Sequence, residues 1–347
     1  MTAQRMLTEE GIPAYLRELG LVHAGESVHV AGGGDGNINW VRRVAIGRGS
    51  THSLVLKQAR PALERFPQYA APTERLLCEA RWFEVARAHD ADAVCPRVFA
   101  LDDANRVLVL EDLSASERLD AALARGADVA PQMETLARFL ARVHAATAGD
   151  DTLLARFAND AMRRLHGDHI FALPYQGEDF GLSPRIEAAA SGVRADSALV
   201  RAAASAYARY LAPHGALVHA DVQATNVLLG PGSGAKLLDA EIAHVGDPAF
   251  DLGTLLAHLA LPAIARGSDA SALLARVRRA YAAERACDAE VLARAGRYAG
   301  FELIRRTIGA ARLAAVASDE AGLRVLAQGR RWALGDASLQ KLEPATS

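Results

Sequence analysis

The sequence predicts an α+β protein in two parts, a small antiparallel β-sheet region followed by a larger, mainly helical one. Three observations carry this. Between residues 26 and 59 the chain is β-branched in short runs separated by glycine or polar turns. One helix-like segment then divides those runs from two more strand-like ones, and after residue 113 the apolar residues recur at helical spacing. The division falls at residues 1–112 and 113–347.

Residues 8–20 read as a short helix, with Thr8 as N-cap and acids in the first turn. Segments 26–31 (ESVHVA), 39–47 (NWVRRVAIG) and 52–59 (HSLVLKQA) read as consecutive antiparallel strands. PTERLLCEARWFEVARAH, 72–89, has the apolar spacing of a helix and opens on Pro72 and Thr73. Strand-like runs follow near 96–101 and 106–111. Helical spacing then holds near 115–125, 131–147, 150–165, 196–211, 251–265, 270–285, 288–315 and 318–332. Two stretches interrupt it. LVHADVQATNVLL (217–229) and AKLLDAEIA (235–243) read as short strands flanking the turn GPGSG. Residues 166–195 read as a surface loop or an insert covering substrate.

The composition narrows the class. At 347 residues, 51% hydrophobic and 23% charged, the chain can bury a sizeable core. A formal net charge of −2 supplies no global basic field, so neither nucleic acid nor a membrane surface is an expected partner. Cys78, Cys95 and Cys287 are far apart, with no CxxC or Cys/His ligand spacing, which argues against zinc and a disulfide framework. MTAQRMLTEEG lacks an apolar signal core, and no apolar run approaches ~18 residues. A cytoplasmic enzyme is the expectation.

Five stretches carry chemistry. AGGGDGNIN (31–39) would let backbone N–H groups approach a phosphate. Asn37 stands where a dinucleotide fingerprint needs glycine, and a strand follows, so the alternatives are a phosphate-covering flap or an ordinary hairpin turn. Lys57 ends an apolar strand, where it can pair with nucleotide phosphates while an acid on the next helix holds it; Glu79 is the expected partner and Glu74 the reserve. In HADVQATN, Asp221 and Asn226 are five apart, which suits an acid orienting a hydroxyl and an amide holding a metal ion, with His219 bracing the loop; turn formation accounts for the same residues. In LLDAEIA, Asp239 and Glu241 alternate on a strand and share a face, and two such carboxylates repel unless a cation lies between them. Oxygen ligands without His or Cys favour Mg²⁺. Asp251, in GDPAFDLGTLL, starts a helix where its carboxylate can cap backbone N–H groups in support of the loop.

Taken in order, the flap, strand Lys, helix Glu, apolar connector, HxDxxxxN, hairpin, DxE and DxxxxDLG describe a nucleotide site. Over residues 25–315 the chain resembles the protein-kinase-like small-molecule kinases, which include aminoglycoside phosphotransferases and choline kinases. GGDGNINWVRRV, LVLKQARP, VLVLEDLS and LIRRTIGAAR resemble stretches of the 5-methylthioribose kinase family in particular. The resemblance implies a two-lobed protein-kinase-like fold that uses ATP and Mg²⁺ to phosphorylate a small-molecule hydroxyl, the C1 hydroxyl of a methylthioribose-like sugar. It implies that Gly34, Asp35, Gly36 and Asn37 belong to the flap and that Lys57, paired with Glu79, contacts phosphates. Glu111 to Leu113 would lie at the adenine-facing hinge. Asp221 would be the catalytic acid, Asp239 and Glu241 with Asn226 the metal ligands, and Arg305 and Arg306 the residues that meet substrate. A homodimer is also compatible with it. The family loop commonly reads HGDLHTGS where this chain has HADVQATN, and its tryptophan-bearing loop is not evident in ARPALERFPQYAAPTER. Both departures bear on the acceptor. The rivals are an aminoglycoside or choline/amino-alcohol kinase of the same fold and a nucleotide-binding pseudokinase serving as sensor or scaffold.

Overall fold

Period-two burial along the early strands gives the first sheet its two faces. The computed structural model describes residues 4–32, 39–47, 52–62, 72–285 and 289–336. The chain divides into two units, one of Met1–Ala88, Cys95–Ser116 and Asp239–Glu241, the other of His89–Val94, Glu117–Leu238 and Ile242–Ser347.

The first unit contains α1 (Ile12–Glu18), β1 (Val28–Ala31), β2 (Trp40–Ile46), β3 (His52–Gln58), α2 (Arg75–Arg87), β4 (Val98–Asp102) and β5 (Val107–Glu111). The strands form one sheet in the order β1-β2-β3-β5-β4, with every neighbouring pair antiparallel. Leu54 and Leu56 pack with Trp40, Val44 and Val109 against Ile12 and Leu16 of α1, and each such buried side chain contributes roughly 1.5–3 kcal/mol. Alternation puts Lys57 on the opposite face from Leu56. The first helix starts later than its sequence suggests. Thr8 closes a preceding turn, where the Gly11 N–H donates to Thr8 Oγ1 at 3.3 Å, and Pro13 lies in the first helical turn.

The second unit runs β6 (Glu117–Arg118), α3 (Leu119–Ala124), α4 (Ala130–Ala146), α5 (Thr152–Arg156), α6 (Asp160–Phe171), α7 (Leu173–Gln176), α8 (Pro184–Ala195) and α9 (Ser197–Tyr210). It continues with β7 (Ala216–Val218), β8 (Val227–Leu229), β9 (Ala235–Leu237), β10 (His244–Gly246), α10 (Ala249–Arg266), α11 (Ser271–Glu284), α12 (Ala289–Ile308) and α13 (Asp319–Ala333). β7 pairs with β10, while β8 joins β6 and β9, so the two strands around HADVQATN belong to different small sheets.

Two expectations are corrected. Residues 166–195 are mostly helical. Pro184 opens α8, Ser183 accepts the Ile186 N–H, and Ile186, Ala190 and Val193 bury one stripe. The dense Gly, Asp and Pro of 177–184 masked that i, i+4, i+7 spacing. Asp239 and Glu241 do not alternate on a strand, because β9 ends at Leu237 and Asp239 takes the left-handed conformation at φ +64°. That turn, and not strand pleating, aims the two carboxylates.

The helix bearing Arg305 and Arg306 is tightly seated. A Cβ at Gly253 of α10 would lie 2.6 Å from the Ala295 carbonyl oxygen, and one at Gly300 would collide with Ala333 N of α13. Glycine allows both neighbours to approach α12 at van der Waals distance.

Candidate active site

The first unit holds a buried ionic cluster. Lys57 Nζ lies 2.7 Å from Glu79 Oε2, 2.7 Å from Asp239 Oδ1 and 2.5 Å from Glu241 Oε1. Glu79 and Glu241 are buried, and the Asp239 side chain is about half exposed, at 51%. Burial pushes the Lys57 pKa down, but the charges of Asp239, Glu241 and Glu79 outweigh it and hold it well above its ordinary value. Burial pushes the Glu79 carboxyl up; Lys57 opposes this, while Asp239 and Glu241 reinforce it. Glu74, the reserve partner, pairs instead with Arg106 at 3.4 Å.

Behind this cluster stand two residues the sequence reasoning did not single out. Asn39 Nδ2 donates to Glu241 Oε1. The fully buried Arg75 donates from Nη2 to Asn39 Oδ1 at 2.8 Å and to the Arg60 carbonyl at 3.1 Å. Its Nε lies 3.5 Å from Glu241 Oε2. Oxygens from Glu79, Asp239 and Glu241 all lie within 4.8 Å of one another. This all-oxygen donor set fits Mg²⁺ in kind.

In the second unit the strand-to-strand loop presents Asp221. Its Oδ2 accepts from Gln223 Nε2 at 2.9 Å and Asn226 Nδ2 at 2.7 Å. Asn226 Nδ2 also donates to the Asp221 carbonyl at 3.0 Å. Asn226 is thus spent on Asp221 through its nitrogen. Asp221 Oδ1 lies 4.0 Å from His166 Nε2, beyond hydrogen-bond range. Burial raises the Asp221 pKa to about 6, against the opposing charges of Arg305 and Arg306.

Asp251 fixes that loop. Its carboxylate accepts the His219 N–H and the Ala220 N–H, both at 2.8 Å, and pairs with His144 Nε2 at 3.0 Å. It therefore caps the loop's backbone rather than its own helix. His219 contributes Nδ1, which accepts the Asp221 N–H at 3.2 Å. Ala220, between them, has φ +66°.

Arg305 and Arg306 are buried and share one carboxylate. Glu302 accepts from Arg305 Nη1 at 3.1 Å and from Arg306 Nε at 2.6 Å, with His258 Nε2 3.1 Å away. Adjacent helix positions point about 100° apart, yet spacings of three and four bring both guanidiniums to Glu302 from either side. Burial pushes Glu302 up, but Arg305, Arg306 and His258 outweigh it and hold it well below the carboxylate range. Arg305 Nη1 also lies 3.2 Å from His166 Nε2. Because a guanidinium only donates, that nitrogen accepts, which assigns the His166 proton to Nδ1, facing Tyr210 Oη at 3.2 Å. Burial and Arg305 keep His166 neutral, its pKa far below the usual value.

Gly34, Asp35, Gly36 and Asn37 lie outside the described residues. Glu111 ends β5, and its Oε1 accepts the Arg97 N–H at 2.9 Å. The Leu113 carbonyl accepts the Ser116 N–H at 2.9 Å in the connector. Among the described residues, no helix is long and apolar enough to cross a membrane.

Comparison with known proteins places this geometry. The profile of the phosphotransferase enzyme family matches residues 33–291. Methylthioribose kinase of Cronobacter sakazakii is 28% identical over 271 residues, covering 75% of this chain and 67% of that protein. The enzyme of the same name from Klebsiella pneumoniae subsp. pneumoniae is 29% identical over 276 residues, with 75% and 67% covered. Among solved structures, an aminoglycoside phosphotransferase from Alicyclobacillus acidocaldarius superposes with a TM-score of 0.55 at 17% identity, over 98% of this chain and 97% of that one. A choline kinase from Streptococcus pneumoniae superposes at 0.50 with 14% identity, over 94% and 98%. These neighbours share the protein-kinase-like fold, with its antiparallel first sheet and mainly helical remainder. With three quarters of its length inside the family profile, the chain belongs to the phosphotransferase enzyme family and is an ATP-dependent small-molecule kinase.

Proposed function

We propose that the enzyme transfers the γ-phosphoryl group of ATP to a hydroxyl of a methylthioribose-like sugar, at C1. The observation that carries the reading is the Asp221 carboxylate, held through Oδ2 by two amides and linked to a buried arginine pair. The identity to methylthioribose kinases supports the sugar.

Residues 1–112, with Asp239 and Glu241, handle the nucleotide in this reading, and 113–347 supply the acid and acceptor residues. Asp221 Oδ1 orients the acceptor O–H and takes its proton. The acceptor oxygen bonds to the γ-phosphorus as the bond to the β-bridging oxygen breaks, leaving ADP. Lys57, fixed by Glu79, pairs with phosphate oxygens. Arg305 and Arg306 offer paired donors to sugar hydroxyls or the transferring group. Asp239 and Glu241 would hold Mg²⁺, which supplies charge neutralisation on the phosphates when bound. Charge spreads over the transferred group, so positioning and electrostatics carry most of the rate.

A cationic acceptor wants surplus carboxylate. Here Asp221 and Glu302 are matched by two arginines, which favours a neutral sugar over an aminoglycoside or choline. ADP release measured with methylthioribose, ribose, spectinomycin and choline tests this. Methylthioribose should give the highest kcat/KM. Preference for a cationic acceptor overturns the substrate, and ATP binding without turnover on any of them favours the sensor reading.

A further inference from the structure

We propose that Gln223 is a positioning residue that locks the Asp221 carboxylate to the arginine pair, so that base and acceptor-binding group are set as one unit. The proposal rests on the reading of Asp221 as the acceptor-facing base.

The geometry is a continuous chain of bonds. Gln223 Nε2 donates to Asp221 Oδ2 at 2.9 Å. Gln223 Oε1 accepts from Arg306 Nη2 at 2.7 Å. Arg306 Nε in turn donates to Glu302 at 2.6 Å, on a helix whose place is set by close glycine contacts. A carboxylate can only accept here and a guanidinium can only donate. A neutral group with a donor at one end and an acceptor at the other is therefore required between them. A side-chain amide meets that need, and its two neighbours fix which end is which. Glutamate would satisfy Arg306 but face Asp221 with a like charge, and leucine would break the link while Asn226 still holds Asp221 and Glu302 still holds Arg306.

The functional consequence concerns rotation of the carboxylate. Asn226 alone ties Oδ2 to the loop itself, because it also bonds the Asp221 carbonyl. Gln223 ties the same oxygen to a different element, α12. With both donors on Oδ2, the carboxylate plane is pinned and Oδ1 is the oxygen left for the acceptor. Without Gln223 the base and Arg306 would each keep their place in the fold but lose their mutual alignment, and misplacement of about 1 Å can cost on the order of 10²-fold in rate.

The test compares Gln223→Leu, Gln223→Glu and Gln223→His with Asp221→Ala, using ATP and whichever acceptor of the four above turns over fastest. Gln223→Leu should lower kcat by about 10- to 100-fold while the ATP affinity, from nucleotide titration, and the melting temperature stay near wild type. Gln223→Glu should be at least as impaired. Gln223→His should restore most of the loss, because a neutral imidazole donates from one nitrogen and accepts at the other. The double variant Gln223→Leu/Arg306→Ala should lose less than the product of the single losses, since both break one link. Wild-type kcat in Gln223→Leu, or multiplicative losses in the double variant, overturns the proposal. If Asp221→Ala itself turns over normally, the reading of the base falls, and that outcome is distinct from an active Gln223→Leu beside an inactive Asp221→Ala.

Discussion

The two charged clusters use the same chemical pieces in different proportion. In the first unit three carboxylates close on Lys57, with Arg75 behind Glu241. In the second unit two guanidiniums close on Glu302, and Asp221 is reached through Gln223. Carboxylates outnumber cations in the first, which makes it receptive to a further cation. The second is balanced, with two acids against two arginines. The difference shows in two buried acids: Glu302, bonded directly to both arginines, lies well below the carboxylate range, while burial pushes Asp221 up to about 6 against arginines that do not bond to it directly. A permanent cation in contact fixes charge, and an amide leaves it adjustable.

The largest expected effect breaks the second cluster at its base. Asp221→Ala should cut turnover by about 10²–10⁴-fold, the range for a lost general base, with ATP binding preserved because the Lys57 cluster is untouched. Single-turnover kinetics beside nucleotide titration will show this. Near-wild-type turnover would remove Asp221 from the mechanism. Next come Arg305→Ala and Arg306→Ala, each expected to cost about 2–4 kcal/mol in kcat/KM if the guanidinium meets developing phosphate charge. Full activity in both would leave the pair a scaffold for Glu302.

Much of this was legible in the sequence, and the failures have physical causes. The three consecutive antiparallel strands ending at Lys57 followed from short β-branched runs between turns, and its partner Glu79 from placement on the next helix, whereas the insertion of β5 between β3 and β4 did not. Asp251 read correctly as support for the loop, yet its targets, the N–H groups of His219 and Ala220, are distant in sequence. Two adjacent arginines on a helix ordinarily form a surface pair. A Glu three and four positions earlier fits an exposed pair equally well, so the burial of both arginines on Glu302 shows only in the packing. Asn39 and Arg75 serve Glu241 across long separations, which no local spacing reveals.

The first cluster is tested by removing one carboxylate. Asp239→Ala should weaken nucleotide binding about 10- to 100-fold in the presence of Mg²⁺ and much less in its absence. Equal loss in both conditions would give Asp239 a structural role and erase the contrast between the clusters.

A smaller effect separates activity from stability. The folded pKa of Asp221, about 6, exceeds the ordinary aspartate value of 3.8. The folded chain therefore binds the proton more tightly than the unfolded chain. The contribution of this group to stability is fully present below about 3.8 and is lost as pH rises through about 6. Turnover needs the ionised form and should fall as pH drops below about 6. Asp221→Asn should be inactive yet more stable at pH 8, by about 1–3 kcal/mol, with the gain shrinking toward pH 4. Denaturant melts at the two pH values decide it; no gain at pH 8 means the ionised carboxylate is well accommodated.

The smallest effect lies in the backbone. Each cluster contains one residue without glycine's freedom in the left-handed region, Asp239 at φ +64° and Ala220 at φ +66°. Aspartate tolerates that conformation through local side-chain bonding, whereas alanine bears the full Cβ clash with the following carbonyl, about 1–2 kcal/mol. Ala220 is nonetheless buried, its N–H held by Asp251, and the resembling HGDLHTGS loop has glycine there. Ala220→Gly removes the clash, loses one buried methyl, and adds freedom to the unfolded chain, so the net gain should be only about 0.5–1 kcal/mol. Turnover should not change, because Asp251 still holds both N–H groups and Gln223 and Asn226 still hold Asp221. The matching change at Asp239 would bring no such gain and would abolish a carboxylate. A fall in stability in Ala220→Gly would mean that methyl packing outweighs the strain, and that this loop, like the Lys57 cluster, sits in a backbone conformation its own residue accommodates.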